Sequence, residues 1–382
     1  MYSVSYGNNH FIMRVSLPVC PKVKTESEVA TLQWIYENTR LPVPRVKCWD
    51  SSRNSPIGFE WILMDRMDGT PLSQCWQSVT HDAKERIVKQ VAAYAADAFK
   101  RQFKGGIGGL QPSNANRYHV GEMATMAFFW GERSCFDHSR GPFKDASTWA
   151  ESRLRLVRND LLSRIHDTTN KDRREATEKM LELVERLRAL EDRFFPNSES
   201  STGEESADKD VSPAEKDKPR EPTMLWHDNL SLDNILVDQN GVLCGIVDWE
   251  CVSCLPLYEA CQFPAFLQQA RDRLVEPLSP DLLHRFSQVH SNSDRDRLVY
   301  QKDLRQHHIS LLRVVFIQEM MHRCPGWVEV FRRSEDMRDY EAAVQNCDNE
   351  FAYACVERWV NAVEKGNISD PKLSSLHQRL MG

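Results

Sequence analysis

The sequence predicts an α+β fold in two lobes, a small strand-rich one at the N-terminus and a large, mainly helical one after it. Three observations predict it. Residues 1–67 alternate short apolar runs with turn residues around one helical stretch. From about Gln74 onward, apolar residues recur at helical spacing. At 382 residues the chain is too long for one small core.

Taken in order, "YSVSYGNNHFIMRVSL" reads as two strands around a Gly7-Asn8-Asn9 turn. "TESEVATLQWIYENT" carries Val29, Leu32, Ile35 and Tyr36 at helical spacing behind Thr25, a capping candidate. "LPVPRVKCWD" is extended, because each proline pushes its predecessor away from helix. "FEWILMDRM" is a buried strand that runs into Asp68-Gly69, with a hinge over Asp65–Gly69. Ile87, Val91, Ala95 and Phe99 then mark one helix face, and Met180, Leu183, Val184, Leu187 and Leu190 another. "KGGIGGL", Lys104–Leu110, follows a helix and lacks a Lys-Ser/Thr helix start, so it reads as a turn and not as a phosphate loop. Residues 197–222 hold only Ala207, Val211 and Ala214 as apolar residues and are expected to be a disordered insertion. "NILVD" and "LCGIVDW" are two strands joined by a Gln239-Asn240-Gly241 turn. Tyr340, Val344, Cys347, Phe351, Cys355, Trp359 and Val363 form one long apolar stripe, expected to be core. The lobes are thus placed at 1–67 and 68–382.

Composition narrows the function. A net charge of −6, from 49 basic and 55 acidic residues, gives no electrostatic case for nucleic acid or an anionic membrane surface. No apolar run reaches membrane-spanning length, and the start shows no signal peptide. Eleven scattered cysteines point to reduced thiols and a cytoplasmic location. Cys244, Cys251, Cys254 and Cys261 include one C-x-x-C without a second pair, so buried thiols are preferred to zinc. His307-His308 carries no further signal, and no protein partner is indicated.

The chemistry lies in "LWHDNLSLDNILVD", Leu225–Asp238. Asn234 precedes one strand and Asp248 ends the next, so a hairpin brings an amide oxygen and a carboxylate together. Hard oxygens in that arrangement suit magnesium held on nucleotide phosphates. His227 would brace the loop. This is the geometry of kinase-type phosphoryl transfer.

With these residues in place, "HDNLSLDNILVD…GIVDWE" resembles the aminoglycoside phosphotransferase and choline kinase-like family, its fungal branch in particular. That family's pattern is His-x-Asp-x-x-x-x-Asn, followed by an Ile-Asp-Trp/Phe block. The likeness runs from roughly Tyr2 to Phe266 and implies a protein kinase-like fold. It implies Arg14 in "FIMRVSLP" as the phosphate-binding cation and Glu28 in "SEVATLQWI" as the residue that orients it. It implies a hinge of Met64, Asp65 and Met67 for the adenine of ATP, Asn234 and Asp248 for Mg2+, and Glu259 in the family's later acidic place. The acceptor would be the hydroxyl of a small molecule.

There are three departures. The base position holds Asn229, with an aspartate one place early at Asp228. An amide accepts no proton at neutral pH, so help typically worth about 10²–10⁴-fold would be missing. The family's first strand and glycine-rich loop have no counterpart before Tyr2. Arg14 stands where the family has Lys. A register slipped by one would make Asp228 the base and Asp233 the metal ligand. The unslipped register has Asp228 turned away from the acceptor. The function expected is an ATP-dependent phosphotransferase slowed by Asn229. The alternative is a pseudokinase that senses nucleotide or serves as an interaction module.

Overall fold

The computed structural model describes residues 1–113, 117–196, 220–268, 275–277, 293–366 and 375–381. Strands β1 (Tyr2–Tyr6) and β2 (Asn9–Val15) pair from Tyr2↔Met13 to Tyr6↔Asn9. The turn is therefore Gly7-Asn8 alone, and Asn9 already belongs to β2. Gly7 sits at φ +59°, which the first position of such a two-residue turn requires. Helix α1 (Val23–Asn38) follows, then β3 (Val46–Asp50) and β4 (Trp61–Asp65), in a sheet of order β1-β2-β4-β3. This is the strand, strand, helix, strand, strand order expected. The cap is not as expected. Helix α1 starts ahead of Thr25, whose buried hydroxyl donates to Ser16 Oγ (3.3 Å) instead of capping the helix.

Past the hinge, β5 (Thr70–Pro71) pairs with β9 (Ile235–Val237), and β9 with β10 (Leu243–Ile246). A further sheet, which the sequence pattern does not reveal, has the order β7-β6-β11-β8. Its strands are β6 (Gly108–Ser113), β7 (Arg117–Gly121), β8 (Thr223–Trp226) and β11 (Ser253–Pro256). The glycines of "KGGIGGL" thus form a turn only at their start. A Cβ on Gly108 would lie 2.0 Å from the Gly121 carbonyl oxygen, and one on Gly109 2.6 Å from that of Glu122. Here glycine permits close strand approach.

The remaining long helices are α2 (His81–Lys100), α3 (Ala146–Asp167), α4 (Lys171–Phe194), α5 (Ser293–Arg323), α6 (Pro325–Arg333), α7 (Glu335–Asn346) and α8 (Tyr353–Glu364). The expected single stripe from Tyr340 to Val363 is really two helix faces. The chain breaks between α7 and α8, where the Asn349 side chain accepts from the Phe351 amide and Arg133 holds Asp348. Phe351 is consequently 99% exposed and is not core. The other six stripe residues pack in or against a helical core that includes Leu154, Leu187 and Val360. A larger core joins α1, α2, β4 and the β9–β10 hairpin.

Of the expected insertion, residues 197–219 lie outside the described residues. Two of its last three residues, Arg220 and Glu221, are fastened. Arg220 donates to the carbonyls of Gly105 and Pro142 (3.1 Å each), and Glu221 accepts from the Ala146 amide (2.7 Å). No helix among the described residues is long and apolar enough to cross a membrane.

Candidate active site

The β9–β10 hairpin brings its two ends together. The Asn234 carbonyl accepts from the Val247 amide (3.0 Å), which sets Asn234 beside Asp248. Asn234 Nδ2 donates to the Asn229 carbonyl (2.8 Å), fixing the loop between them. Asn229 Nδ2 in turn donates to Asp248 Oδ2 (3.4 Å). Asp248 sits at φ +65°, a conformation rare outside glycine that clusters at functional sites. Asp233, the ligand in the slipped register, instead accepts from the Ser73 hydroxyl (2.5 Å).

His227 is 2% exposed and lies under this loop, its ring 4.6 Å from that of Trp249. The Trp249 indole is locked by a bond to the Ile246 carbonyl (2.9 Å). Burial pushes the His227 imidazole down to about 4, against a weaker pull from the Val247 backbone. Neither ring nitrogen makes a well-formed hydrogen bond among the described residues. The ring, held neutral by burial, is wedged by packing beneath the loop.

Opposite the hairpin, Arg14 on β2 meets three carboxylates. Nη1 lies 3.3 Å from Glu28 and 3.2 Å from Asp248, and Nη2 bonds Glu250. The pair with Glu28 is buried, with side-chain exposures of 13% and 2%, so it is no ordinary surface pair. Burial alone would lower the Arg14 pKa, but Glu28, Glu250 and Asp248 outweigh it and hold it above its ordinary value. Glu28 moves the other way. Burial lifts it to about 7 despite Arg14, and its Oε2 has no hydrogen-bond partner among the described residues.

At the hinge, the Asp65 amide donates to the Arg45 carbonyl (3.0 Å) and the Arg66 amide to that of His10 (3.1 Å). Asp65 also bonds Lys47 through its carboxylate (2.9 Å). Met64 is buried in β4. The Met67 side chain lies over Gly245 of β10, where a Cβ would sit 2.7 Å from its terminal carbon. Among the three hinge residues, Met67 is therefore the one laid against the strand leading to Asp248.

Beside the loop is a cavity of about 370 Å³, whose lining includes Trp226, Asp228, Glu259, Trp149, Arg133 and Arg153. Asp228 faces it and Asn229 does not. Solvent reaches Asp228, yet the surrounding walls strip enough water to raise its pKa, with Asp248 adding to the shift. Arg153 pairs with Glu341 through both nitrogens, one contact at 2.7 Å, and lies 3.7 Å over the Trp149 ring. Glu259 is buried, and burial followed by repulsion from Glu341 lifts it to about 8. The Trp149 Nε1–H has no partner among the described residues. Lys24, Glu250, Arg153 and Glu341 were not singled out by sequence reasoning. Glu250 was visible two places after Asp248, but its cationic partners come from α1 and β2, more than 200 positions away.

These shifts predict how stability varies with pH. A carboxyl whose folded pKa exceeds its unfolded value holds its proton more tightly when folded. Its stabilising contribution is full below the unfolded pKa and is lost as pH rises through the folded one. Glu28 and Glu259 act this way up to about 7 and 8. His227 has the opposite sign, its contribution growing from about 4 to 6.5, so it no longer acts above pH 6.5. The Tm should fall as pH rises from 6.5 to 8, and Glu259→Gln should flatten that slope. A wild-type Tm that rises over this interval would contradict the assignment.

The pattern of the phosphotransferase enzyme family (APH) matches residues 1–260. A subtelomeric hrmA-associated cluster protein of Aspergillus fumigatus is 27% identical over 299 residues, covering 67% of this chain and 55% of that protein. The clavilactone A biosynthesis cluster protein Y of Ampulloclitocybe clavipes is 27% identical over 247 residues, covering 64% of this chain and 53% of its own. The chain spans about half the length of these curated relatives. Among solved structures, ADP-bound aminoglycoside phosphotransferase APH(2″)-Ib aligns over 98% of this chain and 93% of its own, at 11% identity and a TM-score of 0.41. A thermostable APH(4)-Ia mutant in ternary complex with ADP and hygromycin B aligns over 99% and 88%, at 13% identity and a TM-score of 0.40. With well over half of its length inside the family pattern, the chain belongs to the phosphotransferase enzyme family.

Proposed function

We propose that the protein transfers the terminal phosphate of ATP to a hydroxyl of a small molecule, slowly because Asn229 replaces a base. The observation that carries this reading is the convergence of Arg14, Asp248, Asn234 and Asn229 on one point between β2 and the β9–β10 hairpin. An amide oxygen and a carboxylate, both hard donors on a braced hairpin, fit magnesium. The metal supplies charge neutralisation at the transferring phosphoryl group. Arg14, set by Glu28, holds the nucleotide phosphates. The hinge takes the adenine, and Met67 is its contact, because the Asp65 and Arg66 amides are committed to the sheet.

The acceptor enters the cavity beside the loop. Asp228 meets it there, and the orphan Trp149 Nε1–H donates to it. If the acceptor binds there, Asp228 lines its pocket, whereas the sequence has it turned away from the acceptor. We keep Asn229 at the base position, a reading supported by the bond its side chain donates to Asp248.

A second reading is a pseudokinase that binds nucleotide without turnover. The amide at 229 favours it. The test of the first reading is mass-spectrometric detection of a phosphorylated product when Mg-ATP and a pool of hydroxyl-bearing small molecules are incubated with the protein. Product that disappears in Arg14→Met supports transfer at this site. Nucleotide binding without any product, even from Asn229→Asp, supports the second reading.

A further inference from the structure

One carboxylate oxygen, Glu250 Oε2, is shared between two cations. It accepts from Arg14 Nη2 on β2 and from Lys24 Nζ (3.3 Å) in the first turn of α1. Both cationic side chains are mostly shielded, at 13% and 14% exposure, while Glu250 is more open at 34%. An oxygen placed between a guanidinium and an ammonium is the environment a phosphate oxygen seeks. Lys24 has no role in the site as described so far. We propose that Lys24 and Arg14 together form a two-cation cradle for the nucleotide's terminal phosphates, and that the Glu250 carboxylate holds that cradle closed until phosphate displaces it.

The charge balance supports this. Five ionisable groups meet here, Arg14 and Lys24 against Glu28, Asp248 and Glu250. Asp248 and Glu250 alone offset both cations and leave no positive surplus for a polyphosphate. Once Asp248 turns to a metal, Glu250 is the remaining competitor for both cations. Its greater exposure and its place in the loop after β10 let it swing outward, whereas Glu28 is buried in α1. Glu250 therefore sets phosphate affinity without touching the acceptor.

The inference rests on the nucleotide reading above, and calorimetric titration with three probes separates the two. The probes are Mg-ADP, inorganic tripolyphosphate and adenosine. Glu250→Gln keeps the side chain's shape and removes its charge. It should tighten Mg-ADP and tripolyphosphate binding roughly tenfold, the size of one charge-assisted contact released for the ligand, and leave adenosine unchanged. Lys24→Met, which keeps the apolar stem, should weaken both phosphate probes by a similar factor. Thermal melts of each variant report folding, and Lys24→Gln serves if Lys24→Met does not fold. If both variants bind Mg-ADP as wild type does, the cradle is wrong and the nucleotide site stands. Weaker binding by Glu250→Gln at an unchanged Tm makes Glu250 a ligand-holding group and also overturns the proposal. If no form binds any probe, the nucleotide reading itself fails, and the cradle with it.

Discussion

Asn229→Asp is expected to raise ATP turnover by roughly one to three orders of magnitude, within the range of a positioned base. The geometry for it exists. The side chain at 229 already reaches Asp248 Oδ2 at 3.4 Å, and the carbonyl of 229 is pinned by Asn234. A carboxylate there would face that of Asp248. Like charges at close range raise one of the two pKa values, which moves a base toward neutrality, where it works best. Transfer through a loose transition state depends mainly on positioning and charge neutralisation, so on the proposed reading the wild type would retain a slow rate to be raised. The check is steady-state ADP release by both proteins. If Asn229→Asp changes nothing while Asp228→Ala abolishes turnover, the reacting carboxylate is Asp228.

Arg153→Met is expected to have the largest effect on stability. Arg153 and Glu341 are 8% and 1% exposed and paired through both nitrogens. Taking away one partner leaves a buried carboxylate without its counter-charge, at a cost of about 3–5 kcal/mol. Glu259, already lifted by Glu341, would be pushed further up, because Arg153 is one of the two cations that hold it down. Some packing over Trp149 is lost as well, though the Met stem keeps part of it. Urea unfolding of Arg153→Met, Glu341→Met and the double variant separates these terms. The double variant should recover more than half of the loss, since an apolar pair of similar volume needs no counter-charge. A single variant within about 1 kcal/mol of wild type would show that the pair is not what holds α3 to α7.

How much of this was legible in the sequence depended on whether a signal was local. Strands β1 to β4 and α1 could be read because alternation, a Gly-Asn turn and helical spacing all act within a few residues. The Asn234–Asp248 pairing was legible because a short hairpin enforces it. Strand β6 was not, because its glycines are chosen for backbone approach to β7 and carry no apolar pattern. Phe351 misled because its spacing continues a helical stripe. The break comes from Asp348 and Asn349, whose partners are Arg133 and the Phe351 amide. The partners of Glu250, and the Arg153–Glu341 pair, link segments more than 180 positions apart, and no local pattern announces such contacts. Asp228 needed the cavity wall, built from β11, α3 and a one-turn helix at Leu257–Ala260, before its direction could be known.

The account stands on a magnesium–nucleotide site between Arg14 and the β9–β10 hairpin, and one measurement tests it most directly. Thermal melting of wild type and Asp248→Ala is compared with and without Mg-ATP. A ligand that binds only the folded state raises Tm by mass action, so the wild type should shift upward on adding Mg-ATP. Asp248→Ala should not shift, because the metal loses its carboxylate. Equal shifts in the two proteins, or a wild-type shift that is the same with ATP in the absence of magnesium, would contradict the account.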